Sequence, residues 1–508
     1  MAGGMKNLAK ETIFYGVGSV LPKLLSWLLS LYWAFALPRI SDIGVLTNFY
    51  AWVALLQVIL TYGMETGFFR FANKEKDPDK VFSTTFISIL STTLIFFLLS
   101  LVFLKPIAIA LGGTAMRPHW LLLLIIILCV DVIGTIPFAK LRFKNRPIRF
   151  ASIKIINVVL TILFNLFFFL ACPWLQTKFP GTFSWFDINN GVDYILISNL
   201  TASILQFLMV SPELRIKFSF DKQLLRQMLK YSLPILILGI AGILNQTVDK
   251  IVFPWLYPDK ANAFTELGIY GQNFKIAVIM VMFTQAFRYA FEPFIFARSK
   301  GNPDERQSFS DATKYFIIFG LLIFLTTTGF IDIIKFLLPK EYHVGLKVVP
   351  IVLLGELFFG VYFNLSLWYK LTDQTKWGAY ISIFGFVITI AINVLLIPKY
   401  SYLACAWASF FANLIMMVIS YVMGQKNYPI PYNLKSAGYF FILSIILFVG
   451  ITLSYKFIDN MWIRLLISAV SIFIYLLVVI KKELPLSSWP VIGKYFNKKE
   501  TTGVKSAH

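Results

Sequence analysis

The sequence is short of charge, of cysteine and of histidine, and each shortage removes a class of function. Charged residues make up 14% of the 508, against about 25% in a soluble globular chain. With 58% hydrophobic residues and 51 Phe, no water-surrounded core could hold this much apolar surface. Lipid is therefore the expected solvent for most of the length. The three cysteines, Cys129, Cys172 and Cys405, lie far apart, within or at the end of apolar runs. They form no CxxC pair, disulfide framework or metal-spaced cluster, and read as small buried hydrophobes. The three histidines, His119, His343 and His508, stand near run ends or at the terminus, poor places for a proton relay. A GxxxxGK[ST] phosphate loop is absent, which argues against nucleotide-driven transport by this chain alone; no cofactor and no metal are expected. The amino-terminal apolar run has no small-residue cleavage site and continues into a span, so it is not expected to be a cleavable signal.

What the chain has is long apolar runs. Stretches of about 20 residues or more, enough to cross the hydrocarbon core, predict fourteen spans. They lie at 12–37, 44–68, 81–104, 119–138, 150–172, 191–210, 231–256, 268–292, 313–338, 345–369, 377–397, 402–423, 436–456 and 461–481. The net charge of +21 alternates with these runs instead of forming one patch, which excludes a nucleic-acid surface. With the amino terminus placed in the cytoplasm, about three quarters of the Lys and Arg outside the spans fall on the cytoplasmic side. The densest cluster is Lys140, Arg142, Lys144, Arg146, Arg149 and Lys154. A miscounted span would invert every later loop and destroy this bias, so both termini are expected to be cytoplasmic. The outside loop 173–190 is short and aromatic (Trp174, Phe179, Phe183, Trp185, Phe186) and reads as an interfacial belt.

The chain also repeats itself. Asp42-Ile-Gly44 matches Glu266-Leu-Gly268, Phe69-Arg-Phe-Ala72 matches Phe294-Ile-Phe-Ala297, and Pro78-Asp79 matches Pro303-Asp304. Asp131 matches Glu356, and Thr161 and Asn165 match Thr389 and Asn393. The offset stays near about 225 residues throughout, and an even number of spans separates the copies, so the halves are parallel repeats. The expected fold class is an all-α polytopic membrane protein with 14 transmembrane helices. Residues 1–215 form one six-helix half, 216–424 the second, and 425–508 an appended helix pair and basic tail.

Ionisable groups inside a bilayer cost about 2.5–3.5 kcal/mol each and usually face a cavity or a partner. Here they gather, with neutral amides beside them, in the first two spans of each half: Lys23 after Pro22; Glu65 in Gly63-Met-Glu-Thr-Gly67; Asp249 and Lys250 with Asn245 and Gln246; then Lys275, Arg288 and Glu292 with Gln272 and Gln285. Lys250 and Lys275 each lie roughly 10 Å in from the outer face at helical rise, so both could line one cavity. Pro22 and Pro234, at matching places, are expected to bend their helices. The plainer alternatives are that Asp249 neutralises Lys250 or that Lys250 snorkels outward. Asp131 and Glu356 match each other but sit elsewhere, with a conformational or packing role weighed at least equally with cargo binding, and Asn165 and Asn393 are expected as interhelical glue. Glu65 and Arg288, near the inner ends of matching spans, could pair across the halves as a gate; Arg288 with Glu292 is the local alternative.

The Asp249-Lys250-Ile string, with Glu266-Leu-Gly-Ile-Tyr270 and Lys275 following, resembles the pattern of Wzx-type polysaccharide biosynthesis exporters. So do Gly-Ser-Val-Leu-Pro22 leading to Asp42-Ile-Gly44, and Tyr62-Gly-Met-Glu-Thr-Gly-Phe-Phe-Arg70. The resemblance covers nearly the whole chain, through short motifs. It extends to the multidrug/oligosaccharidyl-lipid/polysaccharide (MOP) superfamily, which also holds multidrug and toxin extruders and the MurJ lipid II flippases. It implies a V-shaped, two-lobed transporter working by alternating access in a bacterial inner membrane. The implied cargo is an oligosaccharide linked to undecaprenyl diphosphate, with Lys23, Lys250, Lys275 and Arg288 as the cationic lining. Lys23 is the sole basic residue in the first span, unlike the arginine-rich first helix of MurJ.

A diphosphate entering a low-dielectric cavity needs compensating cations, whereas an extruder of cationic drugs would be expected to show an acidic cavity. The reading is therefore a flippase and not an enzyme. Coupled H⁺ or Na⁺ could supply energy through Glu65 or Asp249, with Asn245, Gln246 and Gln272 as further polar lining. Membrane lipids and polysaccharide polymerase or assembly proteins are the expected neighbours. The alternatives are a cation-coupled drug or metabolite antiporter, a MurJ-like lipid II flippase, a membrane-embedded glycosyltransferase or polymerase, and a scaffold without transport activity.

Overall fold

The computed structural model describes residues 20–483 except 218, 299–302 and 373, with the backbone alone at 114, 289–298 and 303–305. Lys6, Lys10 and the basic tail lie outside the described residues, as does the side chain of Glu292. Among the described residues all regular secondary structure is helical. In order the helices are α1 (Val20–Ala36), α2 (Ile40–Thr61), α3 (Met64–Ala72), α4 (Pro78–Val102), α5 (Leu104–Gly112), α6 (Pro118–Phe143), α7 (Pro147–Leu166), α8 (Cys172–Lys178), α9 (Gly191–Val210), α10 (Lys222–Leu256), α11 (Ala263–Arg298), α12 (Pro303–Gly329), α13 (Ile331–Ile334), α14 (Val349–Leu365), α15 (Leu367–Leu371), α16 (Lys376–Tyr400), α17 (Tyr402–Asn427), α18 (Leu434–Phe457) and α19 (Met461–Lys482).

Among the described residues, thirteen helical segments are long and apolar enough to cross a membrane, and α1 is a shorter apolar helix. Its preceding residues are undescribed, so the expectation of fourteen spans rests on thirteen long helices and this one. Pro22 falls in the first described turn, so the bend expected there is not visible. Pro234 lies inside α10, which runs on unbroken as one helix.

Several boundaries follow from capping chemistry. The Asp77 carboxylate accepts from the N–H groups of Asp79 and Lys80, with Pro78 opening α4 where its missing N–H costs nothing. Asp221 does the same for Gln223 and Leu224 at the head of α10. The expected second span (44–68) is in fact two helices. Tyr62 (φ 32°) and Gly63 (φ 70°) take left-handed backbone between α2 and α3, a conformation that glycine adopts without steric cost. The span expected at 313–338 stops at Gly329; Asp332 of the short α13 then binds Lys335 at 2.7 Å and Arg464 of α19 at 2.8 Å. The tenth span opens as a 3₁₀ segment, Lys340–Val348, before α14 takes over at Val349 with Pro350 in its first turn.

In the first half, α6 packs on α4 and α9, and α9 on α7; in the second, α17 packs on α14 and α16, and α16 on α10. The helices α18 and α19 pack against α12. Between the halves, α2 lies against both α10 and α11. Its contact with α11 is made by the matched glycines. A Cβ on Gly44 would stand 1.8 Å from the Phe264 carbonyl oxygen, and one on Gly268 would stand 2.3 Å from that of Ile40. The helix axes can come this close only because neither residue carries a side chain.

Candidate functional site

Below this crossing, α1, α2, α10, α11 and α14 enclose a cavity of about 650 Å³. Its wall includes Gln246, Lys250, Lys275, Gln285 and Arg288, together with Trp33, Tyr50, Phe274, Phe359 and Phe363. The helical repeat that puts Gln246 and Lys250 on one stripe of α10 turns that stripe inward. Lys275 and Arg288 reach the same space from α11.

Each cation is held differently. The Lys250 ammonium donates to the Asp249 carboxylate at 3.1 Å and to the Gln246 carbonyl at 3.2 Å, and lies 4.2 Å from the centre of the Phe274 ring. Asp249 is buried behind it and also accepts from the Tyr270 hydroxyl at 2.8 Å. Lys275 donates to the Ser30 carbonyl at 3.0 Å and stands 5.7 Å from the Trp33 ring; none of the described carboxylates pairs with it. The Arg288 guanidinium stacks 4.3 Å from Phe363. Lys23 donates to the cavity residue Gln285 at 2.9 Å from α1, so it meets the lining through a partner. Aromatic faces carry negative charge and suit this cationic surface.

Other candidates lie elsewhere. Asn245 is buried; it accepts from Thr389 of α16 at 3.0 Å and tethers α10 to that helix. Gln272 is fully buried and donates to the Ser30 carbonyl at 3.1 Å, tying α11 to α1. Glu65 is outside this cavity. It pairs with Arg142 of α6, within its own half, and not with Arg288. The turn at Tyr62–Gly63 re-aims α3, and with it Glu65, toward α6 and α7. A Glu65–Arg288 gate is therefore not formed in this conformation. Asn165 accepts from Trp33 at 2.9 Å and so joins α7 to α1, while both polar side-chain atoms of Asn393 are buried without a hydrogen-bond partner.

Two residues correct the expectations directly. Glu356, expected away from the cavity, lines it beside the basic groups; its rotation about α14 is set by packing against α11 and α17, which no spacing in sequence reveals. Lys154, grouped above with the cytoplasmic cluster, lies about two turns into α7 at a second cavity. The repeat match of Asp131 with Glu356 was the signal available for both places.

The family described as "Polysaccharide biosynthesis protein" matches residues 8–296, and the MatE family matches residues 264–395. No curated protein matches the chain. Among solved structures, the lipid II flippase MurJ in an inward closed conformation is similar at TM-score 0.69 and 17% identity, covering 92% of this chain and 99% of that one. The MATE multidrug transporter DinF-BH is similar at TM-score 0.60 and 15% identity, covering 84% and 96%. An inward-facing multidrug resistance MATE family transporter of the MOP superfamily follows at 0.59 and 11%, covering 82% and 97%. At these identities the likeness is one of fold, and it spans nearly the full length of each neighbour. The chain is a multi-pass membrane protein with the fold of the MOP superfamily transporters, and it belongs to the polysaccharide biosynthesis protein family.

Proposed function

We propose that this protein flips polyprenyl-diphosphate-linked oligosaccharide units across a bacterial inner membrane, from the cytoplasmic to the periplasmic leaflet, by alternating access. The observation that carries the reading is the cavity between the halves, where Lys250, Lys275 and Arg288 converge with Lys23 close behind. Among the described side chains, Lys250, Lys275 and Arg288 share the wall with Glu356, and Asp249 stands beside Lys250. A diphosphate drawn from water into such a space exchanges hydration for charge-assisted hydrogen bonds. The aromatic wall offers sugar rings apolar faces. The charge bias supports cytoplasmic termini, with the two halves rocking about the α2–α10–α11 contact.

The test is deletion of the gene followed by analysis of lipid-linked intermediates. The expected result is accumulation of a complete, unpolymerised glycan unit on its polyprenyl carrier at the cytoplasmic leaflet. Loss of drug resistance with normal surface glycans would overturn the reading in favour of a cation-coupled antiporter. Accumulation of lipid II alone would redirect it to peptidoglycan precursor transport.

A further inference from the structure

The four cations at the central cavity stand at two depths. Lys275 is held at the Ser30 carbonyl of α1, 3.0 Å away, and the Lys250 ammonium lies 4.2 Å from the ring of Phe274, the chain neighbour of Lys275. These two make an outer pair. Lys23 meets Gln285 at 2.9 Å, and Arg288, one turn further along α11, stacks on Phe363 at 4.3 Å. These make an inner pair, nearer the end of α11 that the flippase reading places at the cytoplasm. Two helices measure the gap independently. The helical rise from Lys23 to Ser30 along α1 is about 10 Å, and from Lys275 to Gln285 along α11 about 15 Å.

A carboxylate stands between the pairs. α14 runs beside α11 in the same direction: Gly345, just ahead of α14, abuts the side chain of Asn273, Gly360 abuts that of Thr284, and Phe363 carries Arg288. Glu356 therefore falls between the levels of Lys275 and Arg288. Its chain neighbours fix its direction. Gly355 lies against the backbone of Phe410 on α17, and Leu357 against Gly320 on α12, which leaves Glu356 to the cavity that it lines.

A diphosphate is two tetrahedra sharing one oxygen, and it is shorter than this gap. Either pair can hold it through charge-assisted hydrogen bonds, but not both at once, and midway it faces a like charge. We infer that the cavity contains two separate diphosphate stations, an inner one at Lys23 and Arg288 and an outer one at Lys250 and Lys275, with Glu356 as the divide. The headgroup is taken up at the inner station and passed to the outer one as the halves rock, so neither station has to face both sides of the membrane. Asp249, 3.1 Å from Lys250, competes with an arriving phosphate for that ammonium. This limits the grip of the outer station and suits a point of release.

The order in which the stations are used rests on the flippase reading above; their existence does not. The probe is inorganic diphosphate, counted by equilibrium dialysis against the full chain in phosphatidylcholine nanodiscs. Lys275→Met and Arg288→Met should each lose one bound diphosphate per chain and the double variant two, because the stations share no group. Lys275→Arg and Arg288→Lys should recover the one lost, in protein that elutes as a single species. Loss of the same single diphosphate by both single variants and by the double one would show one site and overturn the inference. In cells, Lys275→Met should be purified with lipid-linked glycan caught at the inner station, and Arg288→Met without it; equal amounts on both would equally overturn it. Two independent diphosphate sites in a protein whose deletion leaves surface glycans and their lipid-linked precursors normal would remove the flippase reading and leave the stations standing.

Discussion

Lys275 shows how a single charge is kept inside a span. Its ammonium is satisfied by the Ser30 carbonyl, and the Trp27 indole donates back to the Lys275 carbonyl at 2.7 Å, so α1 and α11 hold each other through one residue. Lys250 is instead compensated by Asp249 at its side. Removing Lys275 should therefore cost more than removing Lys250. One charge-assisted contact contributes about 1.5–3 kcal/mol, so Lys275→Met should slow export about tenfold to a hundredfold and Lys275→Glu should abolish it. The rate of surface glycan appearance and the pool of lipid-linked units measure this; wild-type rates in Lys275→Met would remove the residue from the site. At this scale the sequence was informative about type and not about direction. Lys250, Lys275 and Arg288 were legible because a charge in a span demands a polar surrounding. Glu356 and Lys154 were not, because the helix face that meets a cavity depends on how neighbouring helices are rotated.

At the scale of elements, the contact of α2 with α11 is the tightest between the halves. The atom opposite Gly44 is a backbone oxygen at 1.8 Å from where a Cβ would be, and backbone cannot swing aside as the tip of a side chain can. Gly44→Ala should force the two helices apart, at an overpacking cost of about 1–3 kcal/mol, and bias the protein toward opening at the end remote from its basic loops. A cysteine placed in the central cavity wall reports this through labelling by a membrane-impermeant thiol reagent. The native Cys129, Cys172 and Cys405 are buried and should contribute little background. Unchanged labelling in Gly44→Ala would show that this crossing does not seal the cavity. The paired Asp-Ile-Gly and Glu-Leu-Gly strings were visible in sequence as a repeat. That the two copies touch each other was not, since a repeat states equivalence and not contact.

On the scale of the whole molecule, the segment joining the halves is docked on α4. The hydroxyls of Ser83 and Thr84 accept from the N–H groups of Ser219 and Asp221, at 2.8 and 3.2 Å. Lys80 pairs with Asp221 at 2.7 Å. The Lys80 hydrogen bond, followed by the Leu224 N–H, holds the Asp221 carboxyl below the usual carboxylate range. A carboxyl depressed in the docked state favours docking above its ordinary value and loses that contribution as pH falls through the depressed one. Protease protection of residues 214–221 should thus be full at neutral pH and decline below about pH 4, whereas Asp221→Asn should be cut at all pH values. Equal protection in both forms would show that the ion pair does not hold the linker.

The sequence by itself determined the solvent, the helical class and the placing of basic residues within the spans, because hydropathy, periodicity and charge order are properties of the chain order alone. Only the tertiary structure decided that span two breaks at Tyr62–Gly63, that Glu65 turns to Arg142, that Glu356 joins the cationic cavity and that Asp131 and Lys154 form a second one. The physical reason is common to all four. A helix has faces, and which face meets water, lipid or a partner is settled by packing between segments that are distant in sequence.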